Sequence, residues 1–326
     1  MIEILGLQVD YETTLRAVDN ITFTVPCGAI YGLIGDNGAG KTSTMRAIMG
    51  LTDITHGSVF LNGIDAISDR DRALAKTGFM PDFGVTMHDL KLWEFLDLFA
   101  ASYGIEESRR PELIDYYLQL LNLYDKKNDF TKGISRGMSQ RLMLAKTLIA
   151  DPDILILDEP ASGLDPTSRM LLKNIIKDKQ KEGKTTLISS HVLPDLQDIC
   201  DQVGIMSQGK MIVTGDIANI NKQLFNGVKY KIQVENKAEI VIQLIDSSSS
   251  TINDIETDGN TITFTVIDED SGSAVNEILS KILKEGIFIT AFNKKDNDLE
   301  LLMSKTPDIP IKEEIKANEK TNEGGE

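Results

Sequence analysis

Residues 28–43, Gly28-Ala29-Ile30-Tyr31-Gly32-Leu33-Ile34-Gly35-Asp36-Asn37-Gly38-Ala39-Gly40-Lys41-Thr42-Ser43, decide the fold. The first eight are apolar or small and bounded by glycine, as a strand buried on both faces of a parallel sheet requires. Gly35 to Thr42 then spells G-x-x-x-x-G-K-[ST], and a helical run from Thr42 to Gly50 follows at once. The glycines let the backbone curl so that successive N–H groups point inward, and the helix start adds the positive end of its dipole. Such a loop cradles a polyphosphate, with Lys41 reaching the β- and γ-phosphates and the Thr42 hydroxyl holding Mg²⁺.

A phosphate cradle alone does not separate kinases, GTPases and transport ATPases, so the partner carboxylates matter. Ile154-Leu155-Ile156-Leu157 reads as a second buried strand, and Asp158-Glu159 follow where it leaves the core. This is the edge at which α/β proteins bind ligands. The economical assignment gives Asp158 to Mg²⁺, directly or through water, and Glu159 to the water that attacks the γ-phosphate. A third buried strand, Thr185-Thr186-Leu187-Ile188-Ser189-Ser190, delivers His191 to the same edge.

Working outward, residues 1–220 alternate short β-rich runs with helical stretches, the pattern of an α/β domain with a mostly parallel sheet. Residues 91–103 and 111–123 carry apolar side chains at helical spacing and read as a helical insertion of about 83–150. Residues 221–305 read as a small α/β unit of strand, helix, strand, helix, strand and a short closing helix to about Ser304. Residues 306–326 are charged, hold two prolines and almost no apolar residue, and are expected to be a disordered acidic tail.

Composition excludes several classes. Of 326 residues, 41% are hydrophobic and 26% charged, the values of a globular chain. The net charge of −16, with no basic patch, argues against nucleic acid as a partner. No apolar run reaches the roughly 18–20 residues of a membrane span, and the N-terminal segment lacks a basic stretch followed by an apolar core, so neither a membrane-spanning nor a secreted chain is expected. Cys27 and Cys200 are far apart and are expected to be small core residues; His56 and His88 are expected on the surface or in loops.

Ile134-Ser135-Arg136-Gly137-Met138-Ser139-Gln140-Arg141, then ILILDEP, then Ser162-Gly163-Leu164-Asp165, then His191, resemble in order and spacing the ATP-binding cassette of ABC transporters. The resemblance covers residues 1 to about 220. It implies a P-loop NTPase cassette with a mostly parallel core sheet, an antiparallel β subdomain and a helical insertion, here followed by a small C-terminal α/β domain. It also implies a head-to-tail dimer with ATP and Mg²⁺ at the interface, each phosphate loop facing Ser135 and Gly137 of the other subunit. Residue by residue, it makes Tyr11 the adenine-stacking aromatic and Gly35, Asp36, Asn37, Gly38, Ala39, Gly40, Lys41, Thr42 and Ser43 the phosphate loop. Asp165 becomes a cross-dimer contact and His191 the γ-phosphate sensor.

Two positions depart from the family pattern. Asp82, in Phe79-Met80-Pro81-Asp82, stands where a Gln is usual; it can serve Mg²⁺ or its water but cannot donate an amide hydrogen bond. Arg136 and Met138 replace the commoner Gly and Gln. This form is similar to cassettes of bacterial exporters whose permease is a separate polypeptide, which implies ATP hydrolysis, an integral-membrane permease partner, a homodimer and a place on the inner face of the cell membrane. The segment after Asp82 and the helix containing Trp93, Phe95 and Phe99 are expected to form the permease groove. The rival readings are a soluble ABC-type ATPase working without a permease and a non-hydrolysing regulatory protein. The single phosphate loop and short insertion weigh against the first, and intact Lys41, Asp158, Glu159 and His191 against the second.

Overall fold

The computed structural model describes all residues except 12–14, 84–86, 88, 193–195, 217–219, 221–227, 247–251, 268–270 and 296–326. The expected acidic tail, the short helix ending near Ser304, the serine run at 247–250 and His88 therefore lie outside the described residues.

The three buried runs form neighbouring strands: β3 (Ile30–Ile34), β7 (Ile154–Leu157) and β8 (Thr185–Ser190). They lie in a six-stranded sheet of order β10-β9-β3-β8-β7-β6, completed by β6 (Thr77–Met80), β9 (Gln202–Ser207) and β10 (Lys210–Gly215). Every pairing from β9 through β6 is parallel, and only the β9–β10 edge is antiparallel. A second, antiparallel sheet of order β2-β1-β4-β5 contains β1 (Ile2–Tyr11), β2 (Leu15–Val25), β4 (His56–Leu61) and β5 (Ile64–Asp65).

Because side chains alternate along a strand, each central strand feeds two cores. Ile30, Ile34, Leu155, Leu157 and Ile188 face helices α3 (Leu92–Ser102), α4 (Arg110–Leu120), α5 (Arg136–Leu148) and α6 (Pro166–Lys181). Tyr31, Leu33, Ile154, Ile156 and Leu187 face the antiparallel sheet and α1 (Lys41–Ile48); the short α2 (Arg70–Leu74) adds Ala73. The sheet is thus buried on both faces, which is why its strands read as continuous apolar runs. The helical insertion shares the first of these cores, and the Tyr117 hydroxyl ties α4 to the Leu148 carbonyl oxygen of α5 at 2.9 Å.

The C-terminal unit runs β11 (Val228–Val234), α7 (Ala238–Asp246), β12 (Ile252–Asp258), β13 (Thr261–Val266), α8 (Ser271–Lys284) and β14 (Ile289–Lys295). Its sheet order β12-β13-β11-β14, antiparallel throughout, is the split β-α-β arrangement. Strand β12 was not expected: it is an edge strand whose side chains are mostly solvent-facing, so Asn253, Asp254, Glu256 and Asp258 hide the alternation. A third apolar cluster, including Ile232, Val241, Phe264 and Ile282, fills this unit.

One of the two cysteines differs from expectation. Cys27 is exposed, because it sits in the turn between β2 and β3, whereas Cys200 is half-buried and its thiol is pushed up to about 12 by burial. Phe95 is buried and Phe99 partly so, both in the first core, leaving Trp93, 36% exposed, as the aromatic of that group most open to a partner.

Strand β9 has no room at Gly204. A Cβ there would collide with the Tyr31 hydroxyl and come within 2.9 Å of Met211 Sδ. Tyr31 is itself fixed, stacked on Phe23 with ring centroids 5.0 Å apart and hydrogen-bonded to the Thr214 hydroxyl at 2.6 Å. Gly204→Ala is expected to destabilise the fold by roughly 1–3 kcal/mol, the usual cost of overpacking. In urea titrations the penalty should shrink in the Tyr31→Phe background, because the nearest obstructing atom is gone.

A candidate nucleotide site at the carboxyl edge of the central sheet

Three adjacent strands end at one place. Strand β3 delivers the loop Gly35–Gly40 and the start of α1, β7 delivers Asp158 and Glu159, and β8 delivers Ser189, Ser190 and His191. The loop is shaped by close approach. Gly40 has φ 105° and a Cβ on it would lie 2.5 Å from the Ala17 carbonyl oxygen, while a Cβ on Gly35 would lie 2.9 Å from that of Ala39. The expected glycine pattern is therefore demanded by the backbone.

Lys41 is 5% exposed. Its ammonium donates to the carbonyl oxygens of Gly35 at 2.5 Å and Asp36 at 3.1 Å, and lies 3.4 Å from Glu159 Oε1. Glu159 Oε2 accepts from His191 Nδ1–H at 2.8 Å, which sets the ring tautomer and leaves Nε2 for a ligand. Glu159 has φ 48°, a left-handed conformation that costs a non-glycine residue energy and is met at functional sites.

Asp158 is 1% exposed. Its Oδ1 accepts from the Ser189 hydroxyl at 2.7 Å, and its Oδ2 is buried without a hydrogen-bond partner. Burial raises its pKa above the usual carboxylate range, against the opposing influence of the Ser189 and Thr42 hydroxyls. Asp82, at the exit of β6, is also raised, first by partial burial and then by the charges of Asp158 and Glu159; Arg136 and His191 pull the other way. Three carboxylates thus crowd one buried ammonium.

A cleft of about 470 Å³ opens in front of these groups. Tyr11, Asn37, Gly38, Ala39, Gly40, Lys41, Thr42, Ser43, Asp82 and Glu159 line it, so most of the expected residues meet in one place. Tyr11 stands half-buried at one end, its hydroxyl 3.4 Å from that of Thr52. Ser135, Gly137 and Asp165 are not on the walls. Ser135 caps α5, accepting from Met138 N–H at 3.3 Å, and Asp165 caps α6, accepting from the Ser168 amide at 3.0 Å and the Ser168 hydroxyl at 2.6 Å. Those hydrogen bonds hold the Asp165 carboxyl below its ordinary range.

Among the described residues, no group of three or more His, Cys, Asp and Glu side chains is arranged to hold a metal unaided. The chemistry nonetheless fits Mg²⁺, which takes one or two carboxylates and otherwise relies on phosphate oxygens and water. The orphaned Asp158 Oδ2 is an acceptor that such a cation would satisfy, and Thr42 and Asp82 are the neighbouring oxygen donors.

Leu15, Arg16, Ala17, Gln208 and Gly209 also line the cleft and were not expected. Gly209 donates to the Ala39 carbonyl oxygen at 3.0 Å and accepts from Asp19 N–H at 2.8 Å, joining the phosphate loop to β2 through the β9–β10 turn. A glycine turn between two short strands carries no sign of this contact. Ser189 carries no signal in the sequence beyond its place in a buried strand.

Comparison with known proteins gives the family. A family model described as ABC transporter matches residues 18–162. The chain is 35% identical over 198 residues to a Nod factor export ATP-binding protein I of Burkholderia lata, a match covering 61% of this chain and 65% of that protein. It is 35% identical over 209 residues to an uncharacterized ABC transporter ATP-binding protein of Methanocaldococcus jannaschii, covering 64% of this chain and 75% of that one. Among solved structures, an ATP-binding subunit of an ABC transporter superposes with a TM-score of 0.64 at 29% identity, covering 68% of this chain and 92% of the other. A dimeric bacterial ABC transporter cassette shares the fold, with a TM-score of 0.61 at 20% identity over 67% of this chain and 99% of that one. With the phosphate loop, the paired carboxylates and the histidine on three neighbouring strand ends, the chain belongs to the ABC transporter family as an ATP-binding cassette.

Proposed function

We propose that this protein binds and hydrolyses ATP as one cassette of a dimer and thereby powers export through a separate integral-membrane permease. The observation that carries the reading is the Lys41–Glu159–His191 chain, a buried ammonium, a carboxylate carried on a strained backbone and an oriented imidazole beside a phosphate loop. The Burkholderia relative is named for export, and the dimeric neighbour supports pairing of two cassettes. Among the described residues no helix is long and apolar enough to cross a membrane. The reading puts the protein on the inner face of the cell membrane through its permease.

In this reading the loop amides and Lys41 bind the phosphates, and Tyr11 stacks on the adenine. Thr42 and Asp158, with Asp82, would hold Mg²⁺, which supplies charge neutralisation of the phosphate oxygens when bound. Glu159 accepts the proton of the attacking water, with His191 holding one oxygen of its carboxylate and Lys41 facing the other. Ser135, Gly137 and Asp165 lie off the walls of their own cleft and act on the nucleotide of the other subunit. Residues 1–220 form the catalytic domain, 221–305 an accessory domain and 306–326 a tail dispensable for hydrolysis. The Trp93 surface, together with the segment after Asp82, is where the permease docks.

Glu159→Gln keeps the shape of the side chain but removes the base. Turnover is expected to fall by about 10²- to 10⁴-fold while ATP still binds and holds two cassettes together in size-exclusion chromatography. Near-normal turnover would refute the reading.

Lys41→Ala should act differently, weakening ATP binding by roughly 10- to 100-fold, the worth of hydrogen bonds to a charged group. Fluorescent-nucleotide titration of both variants side by side separates the two roles.

Asp82 has a folded pKa raised above its unfolded value, so the folded state binds the proton more tightly and stability is lost as pH rises through that window. Asp82→Asn should therefore raise the Tm at pH 7, and the gain should shrink as pH falls into the carboxylate range. A loss of Tm at pH 7 would contradict the charge crowding.

A further inference from the structure

Ser189 lies in the middle of the site and belongs to neither the phosphate loop nor the carboxylate pair. It is 1% exposed, on the central strand β8 between β3 and β7. Its hydroxyl oxygen accepts the backbone N–H of Glu159 at 2.8 Å and donates to Asp158 Oδ1 at 2.7 Å. A hydroxyl has one proton, and the amide can only donate, so the direction of both bonds is fixed: the proton goes to Asp158. Two consequences follow from that direction. One lone pair of Asp158 Oδ1 is taken by the Ser189 hydroxyl, so Oδ2, buried and without a hydrogen-bond partner, keeps the greater acceptor capacity for a cation. The amide of Glu159 is pinned while its backbone holds φ 48°, a conformation that persists only where surrounding contacts over-determine it.

We propose that Ser189 is a positioning residue that divides the labour of the two carboxylates, orienting Asp158 toward the divalent cation and locking Glu159 against Lys41 and His191. The proposal rests on the ATPase reading above. A buried serine that merely satisfies its own strand would bond to backbone of β8 or β3; this one instead reaches the residue pair at the end of β7. Removing its oxygen leaves a buried amide and a buried carboxylate oxygen unpaired at once. Groups that orient a metal-ligating carboxylate typically change metal affinity by about 10- to 100-fold when lost.

The test uses the full-length protein, with Mn²⁺ in place of Mg²⁺ so that metal binding in the presence of ATP is read directly by electron paramagnetic resonance. In Ser189→Ala, Mn²⁺ affinity is expected to fall by about 10-fold or more and kcat by a similar factor, while ATP affinity measured without metal stays within about twofold. Ser189→Thr, which keeps the hydroxyl, should recover both. The Mn²⁺ loss should also appear when Ser189→Ala is placed on Glu159→Gln, where turnover is expected to be already very slow, so that it does not depend on hydrolysis. Should the alanine variant fail to fold, Ser189→Cys exchanges the hydroxyl for a weak donor at nearly the same volume and carries the same expectation. Wild-type Mn²⁺ affinity and kcat in a folded alanine or cysteine variant would overturn the proposal. Absence of ATP hydrolysis in the unsubstituted protein would instead overturn the function on which it rests.

Discussion

One buried ammonium holds this site together. Lys41 is almost wholly enclosed, and a charge so placed is tolerated only when it is paired and fully hydrogen-bonded. It finds two loop carbonyl oxygens and Glu159, which means that the curl of the phosphate loop and the position of the carboxylate depend on each other. The balance is nevertheless incomplete. Asp82 has its pKa raised by the charges of Asp158 and Glu159 beside it, so the carboxylates outnumber the one buried ammonium. Under the proposed function, a divalent cation bound together with the polyphosphate would offset this excess of carboxylate charge.

The scaffold supplies the accuracy this balance needs. Neighbouring strands lie about 4.8 Å apart, so residues leaving β3, β8 and β7 at the same edge are held within reach of one another without any loop having to search for them. Two apolar layers, one of helices and one of antiparallel sheet, clamp the strands from both faces and leave their exits as the part of the sheet free for chemistry. The strained backbone of Glu159 is affordable there because its amide, its side chain and both adjoining strands are fixed independently.

The elements outside the cleft follow another logic. Ser135 and Asp165 serve as helix caps within their own chain, and the Arg136 guanidinium reaches the Ser162 hydroxyl at 2.8 Å, joining the start of α5 to the turn that precedes α6. The two segments that a second cassette would meet in the proposed dimer are thus joined by a direct hydrogen bond within this chain. In the C-terminal unit the split β-α-β sheet closes around its own apolar cluster.

The sequence by itself determined the phosphate loop, the three buried strands, the carboxylate pair and His191, because each is written in consecutive residues: a glycine spacing, an apolar run, an acid pair at a strand exit. It could not determine the exposure of Cys27, the edge strand β12 or the burial of Phe95, since these depend on which turn, edge or neighbour the chain meets after folding. Nor could it determine the role of Ser189, thirty residues from Glu159 and thirty-one from Asp158 along the chain. Only the tertiary structure, by laying β8 beside β7, turned a strand serine into the hydrogen-bonding centre of the site. The chemistry was legible where its groups are local, and its geometry was not, because geometry is a property of strands paired across long separations.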